Sequence, residues 1–159
     1  SKRYEDDKVL TKTMINNYAK NNLLPPPVKK KYSREHMLLL VFIYYFKNML
    51  SFHDIEALFA PITEGHFMDA SGLSLQDIYE EVFSMEYEQM KRLKEDLLRK
   101  FHASEESFTD QKEDKDYLQL FTFICALGFD VFLKKQAMEM LIDQIREDYP
   151  VDHSKKKKS

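Results

Sequence analysis

SLQDIYEEVFSMEYEQMKRLKEDLLRKF, running from Ser74 to Phe101, is the stretch on which the fold class turns. Its apolar residues Leu75, Ile78, Val82, Met85, Met90, Leu93 and Leu97 keep near-heptad spacing with charges between them. That is the signature of one helical face, not the alternation of a strand. Ser74 and Asp77 form a capping-box pattern in which Asp replaces the usual Glu. The spacing predicts a helix of about 27 residues, roughly 40 Å long at 1.5 Å per residue, suited to pairing with another long helix.

On the C-terminal side, polar residues 102–114 read as a loop. A second long helix is predicted from about Lys115 to Asp148, with Leu118, Phe121, Cys125, Phe132, Met138, Leu141 and Ile145 in helical period on both sides of Gly128. Gly128 then marks the close approach of a neighbour, a break in the helix being the alternative. The two long helices pair either between copies, as a homodimer through 74–101 and 115–148, or with each other inside one monomer.

Working back from Ser74, residues 60–73 with Pro61, Gly65 and Gly72 read as a linker. A short helix, about Phe52–Phe59, is capped by Ser51 and stops before Pro61. Before it lies a helix capped by Ser33 and buried on most sides over Met37–Phe46. Pro25, Pro26 and Pro27 form a stiff connector ending in Lys29, Lys30 and Lys31. The first helix runs from the N-cap Thr11 to Asn22, a residue that tolerates the left-handed conformation at a helix end. Residues 1–9 and 151–159 read as disordered ends, the latter carrying four lysines.

The whole chain fits this reading. Its 159 residues make one domain, or two small ones sharing a core. With 43% apolar residues but 3 Gly and 5 Pro, it has a core's worth of side chains and few turn formers, which argues against a many-stranded β fold. A lone cysteine, Cys125, excludes a disulfide framework. The longest apolar run, Met37–Phe46, is about half a bilayer span, and no signal pattern opens the chain. The expectation is a soluble, cytoplasmic protein without a membrane partner.

The net charge of −3 conceals a segregation. Residues 1–50 hold ten Lys/Arg against four Asp/Glu, a balance of +6; residues 51–150 hold ten against twenty-two, a balance of −12; the last nine residues add +3. A basic head on an acidic body points to a polyanion as partner. Within the head, Lys12, Asn16, Asn17 and Lys20 share the polar side of the first helix, followed by Lys29–Lys31. Asn pairs with the edge of adenine in a major groove, and Lys neutralises phosphate.

Leu10–Phe59 also resembles the second half of a MerR-type winged helix-turn-helix. The residues that carry the likeness are Leu10-Thr11, Met14-Ile15, Tyr18, Asn22-Leu23-Leu24-Pro25, Tyr32-Ser33-Arg34-Glu35-His36 and Leu50-Ser51-Phe52-His53-Asp54-Ile55. The stretch Leu10–Tyr18 resembles, in addition, the signature of a bacterial family known as a domain of unknown function. The MerR likeness implies that Thr11, Lys12, Thr13, Asn16, Asn17 and Lys20 lie at the groove. It implies that Tyr18 meets phosphate or braces the helix, that Lys29, Lys30, Lys31 and Tyr32 belong to the wing, and that Arg34 lies near phosphate. It implies as well a first helix upstream of Leu10, for which residues 1–9 carry no apolar stripe. Asn16-Asn17 stands where that family has Arg, so this helix would grip phosphate less strongly.

Enzyme chemistry finds no support. His36, His53, His66, His102 and His153 are scattered and make no metal-ligand spacing, and there is no Gly-rich phosphate loop. Cys125 lies in an apolar stripe as an inert thiol. No cofactor is expected. The fold expected is all-α: a helix-turn-helix-like basic head over 10–60, its first helix absent, and an acidic two-helix body over 74–148, a bundle or coiled coil. The function expected is a bacterial DNA-binding transcriptional regulator acting on double-stranded DNA. The alternative is a helical protein-interaction module that keeps the head fold without reading DNA. A third reading is a ligand-sensing domain with a pocket of Tyr117, Phe121, Phe123, Phe129 and Phe132.

Overall fold

The computed structural model describes residues 10–67 and 72–151. The expected disordered ends, apart from Val151, and part of the expected linker, 68–71, lie outside the described residues. Five helices follow one another: α1 (Lys12–Lys20), α2 (Arg34–Phe46), α3 (Phe52–Gly65), α4 (Leu75–Glu105) and α5 (Lys115–Asp148). The described residues contain no strand, only an isolated antiparallel bridge between Val28 and Lys31.

Helix ends fall where side chains can satisfy the orphan backbone groups. Thr11 Oγ1 accepts the Met14 N–H at 3.2 Å to start α1. At the other end the Leu23 N–H reaches the Tyr18 carbonyl at 2.9 Å, the Asn22 N–H reaches Ala19 at 3.2 Å, and Asn22 takes φ 60°. This is a Schellman closure with Asn in the left-handed position, as the sequence predicts, and it buries Leu23 against the helix it terminates. Ser51 with Asp54, and Ser74 with Asp77, exchange reciprocal bonds at the starts of α3 and α4.

Several expected boundaries shift. α3 does not stop before Pro61 but carries it within the helix and ends at Gly65. Proline removes one backbone bond and costs about 3 kcal/mol in a helix interior. Here burial on both sides offsets that cost: Ile55, Ala57 and Phe59 lie before it and Phe67 after it, and Thr63 Oγ1 donates to the Ala60 carbonyl. α4 runs a turn further than expected, to Glu105. α5 is unbroken at Gly128, and a Cβ placed there would meet nothing within 4 Å, so no neighbour in the protomer explains the glycine. α5 also contains an 18-residue window of mean hydropathy 1.5, long and apolar enough by composition to cross a bilayer. The longest uninterrupted apolar run misses it because isolated polar residues such as Asp130 break the run without lowering the average.

Two compact units divide the described residues, one comprising those up to Glu80 and from Glu139 onward, the other Glu81–Met138. Both boundaries fall inside the long helices. The first unit has a dense core in which Leu23, Leu24, Leu39, Ile43 and Leu75 are fully enclosed. Phe42 packs its ring on Tyr79 at 5.7 Å and on Phe59 at 5.9 Å. The last turns of α5 join this core through buried Ile142 and through Arg146, which pairs with Asp54 at the start of α3. Each such aliphatic residue contributes about 1.5–3 kcal/mol by leaving water.

In the second unit α4 and α5 run as a hairpin. Phe101 meets Phe123 edge-on at 5.5 Å, and Lys100 bridges Asp96 and Asp130. Gln119 Nε2 donates to the Glu105 and Ser107 carbonyls at 2.6 and 2.9 Å. Cys125 is half-buried in this hairpin. The supposed aromatic pocket does not form: Tyr117, Phe121, Phe129 and Phe132 are all exposed, and Phe123 packs on Phe101.

Candidate nucleic-acid interface

The candidate surface is assembled by the chain between Thr11 and Arg34, which contains six Lys/Arg and no Asp or Glu. α1 places Lys12, Thr13, Asn16, Asn17 and Lys20 in solvent. Lys12, Asn16 and Lys20 recur every fourth residue, and Thr13 and Asn17 follow beside them, so all five occupy one outer side of the helix. The other side is held down by Tyr18, which is buried and whose hydroxyl ionises less readily because it is desolvated. Tyr18 therefore braces α1. Thr11 is half-buried, its hydroxyl engaged as the cap of α1.

From the end of α1 the chain drops Leu23 and Leu24 into the core, runs through the prolines and reverses at Val28–Lys31. The Lys31 N–H donates to the Val28 carbonyl at 2.9 Å, and the two central residues, Lys29 and Lys30, take φ 49° and 63°. Two positive φ angles in succession mark a two-residue turn of the primed kind, whose usual occupants are Asn and Gly. Lysine in that conformation costs about 1–2 kcal/mol per residue. The turn holds Lys29, Lys30 and Lys31 exposed, with Tyr32 and Arg34 also exposed beyond it.

His36 locks the base of this turn. It is buried, and its Nδ1 accepts the Ser33 N–H at 3.0 Å while Nε2 lies 3.0 Å from the Pro25 carbonyl. A backbone N–H can only donate and a carbonyl can only accept, so the ring is in the form with its hydrogen on Nε2. Tyr32 and Phe67 stand edge-on to the ring at 5.3 and 4.8 Å. One imidazole thus joins the entry to the turn, its exit and the start of α2. Glu35, beside His36 in sequence, has its carboxyl held below the ordinary range by the Ser33 hydroxyl and stays ionised beside Arg34.

The role of His36 escaped the sequence reading. Its one signal is its position three residues after the N-cap Ser33, where a capping box has Glu or Gln. Nor was the flank of α1 foreseen, where Met14, Asn17, Tyr18, Lys20 and Asn21 face Phe52 and His53 across an open cleft of about 530 Å³.

The family model described as "Domain of unknown function (DUF1836)" matches residues 1–82, more than half of the chain. The protein belongs to the DUF1836 family. The matched residues take in α1, the lysine turn, α2, α3 and the first turns of α4, so the candidate surface lies wholly inside the DUF1836 region. No curated protein and no solved structure matches the chain. Among the described residues of this DUF1836 protein, no group of three or more His, Cys, Asp or Glu could hold a metal ion.

Proposed function

We propose that this DUF1836 protein is a bacterial DNA-binding transcriptional regulator, not an enzyme, with α1 as the groove-facing helix and the Val28–Lys31 turn as a minimal wing. The observation that carries the reading is the turn itself: two lysines occupy left-handed conformations that glycine would take without strain. A chain gains nothing in stability from that choice, but it gains a cationic tip. Lys29, Lys30, Lys31 and Arg34 supply phosphate contacts, and Asn16 and Asn17 read base edges. The MerR-type resemblance supports the same division of roles, and such a protein works in the cytoplasm. The alternative, an interaction module that does not read DNA, draws on the apolar surface of α5.

Fluorescence anisotropy with duplex DNA from upstream of the protein's own gene separates them. With four to six phosphates neutralised, affinity should fall roughly 10²–10³-fold between 50 and 200 mM salt. Lys29→Gly with Lys30→Gly should relieve the turn yet weaken binding to every sequence and flatten the salt slope by about 2. Asn16→Ala with Asn17→Ala should instead lose preference for the cognate duplex by about 1–3 kcal/mol per base pair read. Affinity that ignores salt, or lysine and asparagine variants that behave alike, would sink the reading.

A further inference from the structure

The hairpin of residues 81–138 buries a single side chain, Ser104, while eight large apolar side chains between Tyr117 and Leu133 are each more than half exposed. Part of that surface is ordered as a seam. Tyr117, Phe121, Ile124, Gly128 and Val131 are separated by four, three, four and three residues, the spacing of a coiled-coil interface. All five are exposed, and Tyr117 and Phe121 stack their rings 22° from parallel.

We infer that this seam on α5 is the contact with a second copy of the chain, α5 crossing its mate antiparallel about a two-fold axis at Ile124. The residues themselves select that partner. Positions 117 and 131 are equidistant from 124, and 121 and 128 nearly so. The two-fold therefore sets Phe121 over Gly128 of the mate, Tyr117 against Val131, and Ile124 against itself. Large side chains meet small ones, as an interface made of one patch used twice requires. Gly128, where an added Cβ would meet no other atom of the protomer within 4 Å beyond its own helix backbone, is the gap that the mate's Phe121 fills. At roughly 100 Å² for each half-exposed large side chain, the seam and its flanks (Tyr117, Leu120, Phe121, Ile124, Val131 and Phe132) offer about 600 Å² per copy, the lower end of what a stable interface buries.

A lipid bilayer fits this surface less well. Phe101 on Phe123 and Lys100 with Asp130 tie α4 to α5 within the hairpin, so a crossing α5 would take α4 with it. α4 carries eleven Asp, Glu, Lys and Arg between Glu81 and Glu105, each costly at bilayer depth. The seam stands independently of whether the head binds DNA.

Light scattering on the full chain between 1 and 100 µM should report twice the 19.0 kDa protomer mass. Ile124→Lys and Ile124→Glu, each placing like charges across the axis, should be monomers of unchanged helicity by circular dichroism, and mixing the two should restore the dimer. Gly128→Phe should dissociate the pair at least tenfold more readily, and adding Phe121→Ala should reverse that loss. A wild-type monomer throughout the range, a dimeric Ile124→Lys, or a mixture that stays monomeric would overturn the seam. So would a monomer that co-sediments with phosphatidylglycerol vesicles.

Discussion

The two units use similar apolar side chains to opposite ends. In the first, apolar side chains from the helices and from the Leu23–Leu24 segment converge until Leu24, Leu39 and Ile43 are wholly enclosed. In the second, the equally apolar stretch around Phe121 and Phe132 turns outward, and charged bridges such as Lys100 with Asp96 and Asp130 hold the hairpin. The first unit is a scaffold whose stability belongs to one chain. The second presents its apolar residues where a partner would supply the missing half of a core, since two helices alone enclose almost nothing. Stability and association should therefore respond to different substitutions.

The sharpest contrast comes from truncating one apolar residue in each unit. Leu39→Ala should cost about 2–5 kcal/mol in urea denaturation followed by circular dichroism, because it empties an enclosed site. Ile124→Ala should leave the protomer within about 0.5 kcal/mol while weakening self-association. Equal costs at the two sites would erase the distinction between the units.

A step down in size is His36→Leu, which removes both backbone bonds of the buried imidazole and leaves the Pro25 carbonyl and Ser33 N–H without it. About 2–3 kcal/mol of stability should go. The salt slope of DNA binding should flatten as the turn loses its anchor, a readout that a purely structural role for His36 would not move.

Asp54 gives a smaller, pH-dependent effect. The Ser51 hydroxyl first, then Arg146, holds its carboxyl below the ordinary aspartate range near 3.9. A depressed value means that its contribution is complete above that range and lost as pH falls through the folded-state value. Asp54→Asn should cost about 1 kcal/mol at pH 7, and the gap to wild type should close below pH 4 in thermal melts. Smallest of all, Gly128→Ala should raise the unfolding free energy of the dilute protomer in urea by up to about 1 kcal/mol, since open space surrounds it.

Much of the helical layout is legible without coordinates because its determinants are local. Thr11, Ser33, Ser51 and Ser74 all stand at helix starts, as cap chemistry predicts, and Asn22 takes the left-handed position at the end of α1. Pro61 is the instructive failure. Local rules end the helix there, whereas Phe59 and Phe67, buried on either side, carry α3 through it. Within the candidate interface, exposed Lys and Asn positions follow from helical periodicity. The clamp made by His36 does not, because it depends on Pro25 and Phe67, which only the fold brings to the ring.

By itself the sequence determined the all-helical class, the helix starts and the segregation of a basic head from an acidic body, since caps, periodicity and charge act over a few residues. Only the tertiary structure decided that two lysines sit at positive φ and that one imidazole ties Pro25 to Ser33. It alone decided that α5 keeps Phe121, Ile124 and Phe132 outward. Each of these depends on which distant surfaces meet, and that is settled by packing, which no local pattern encodes.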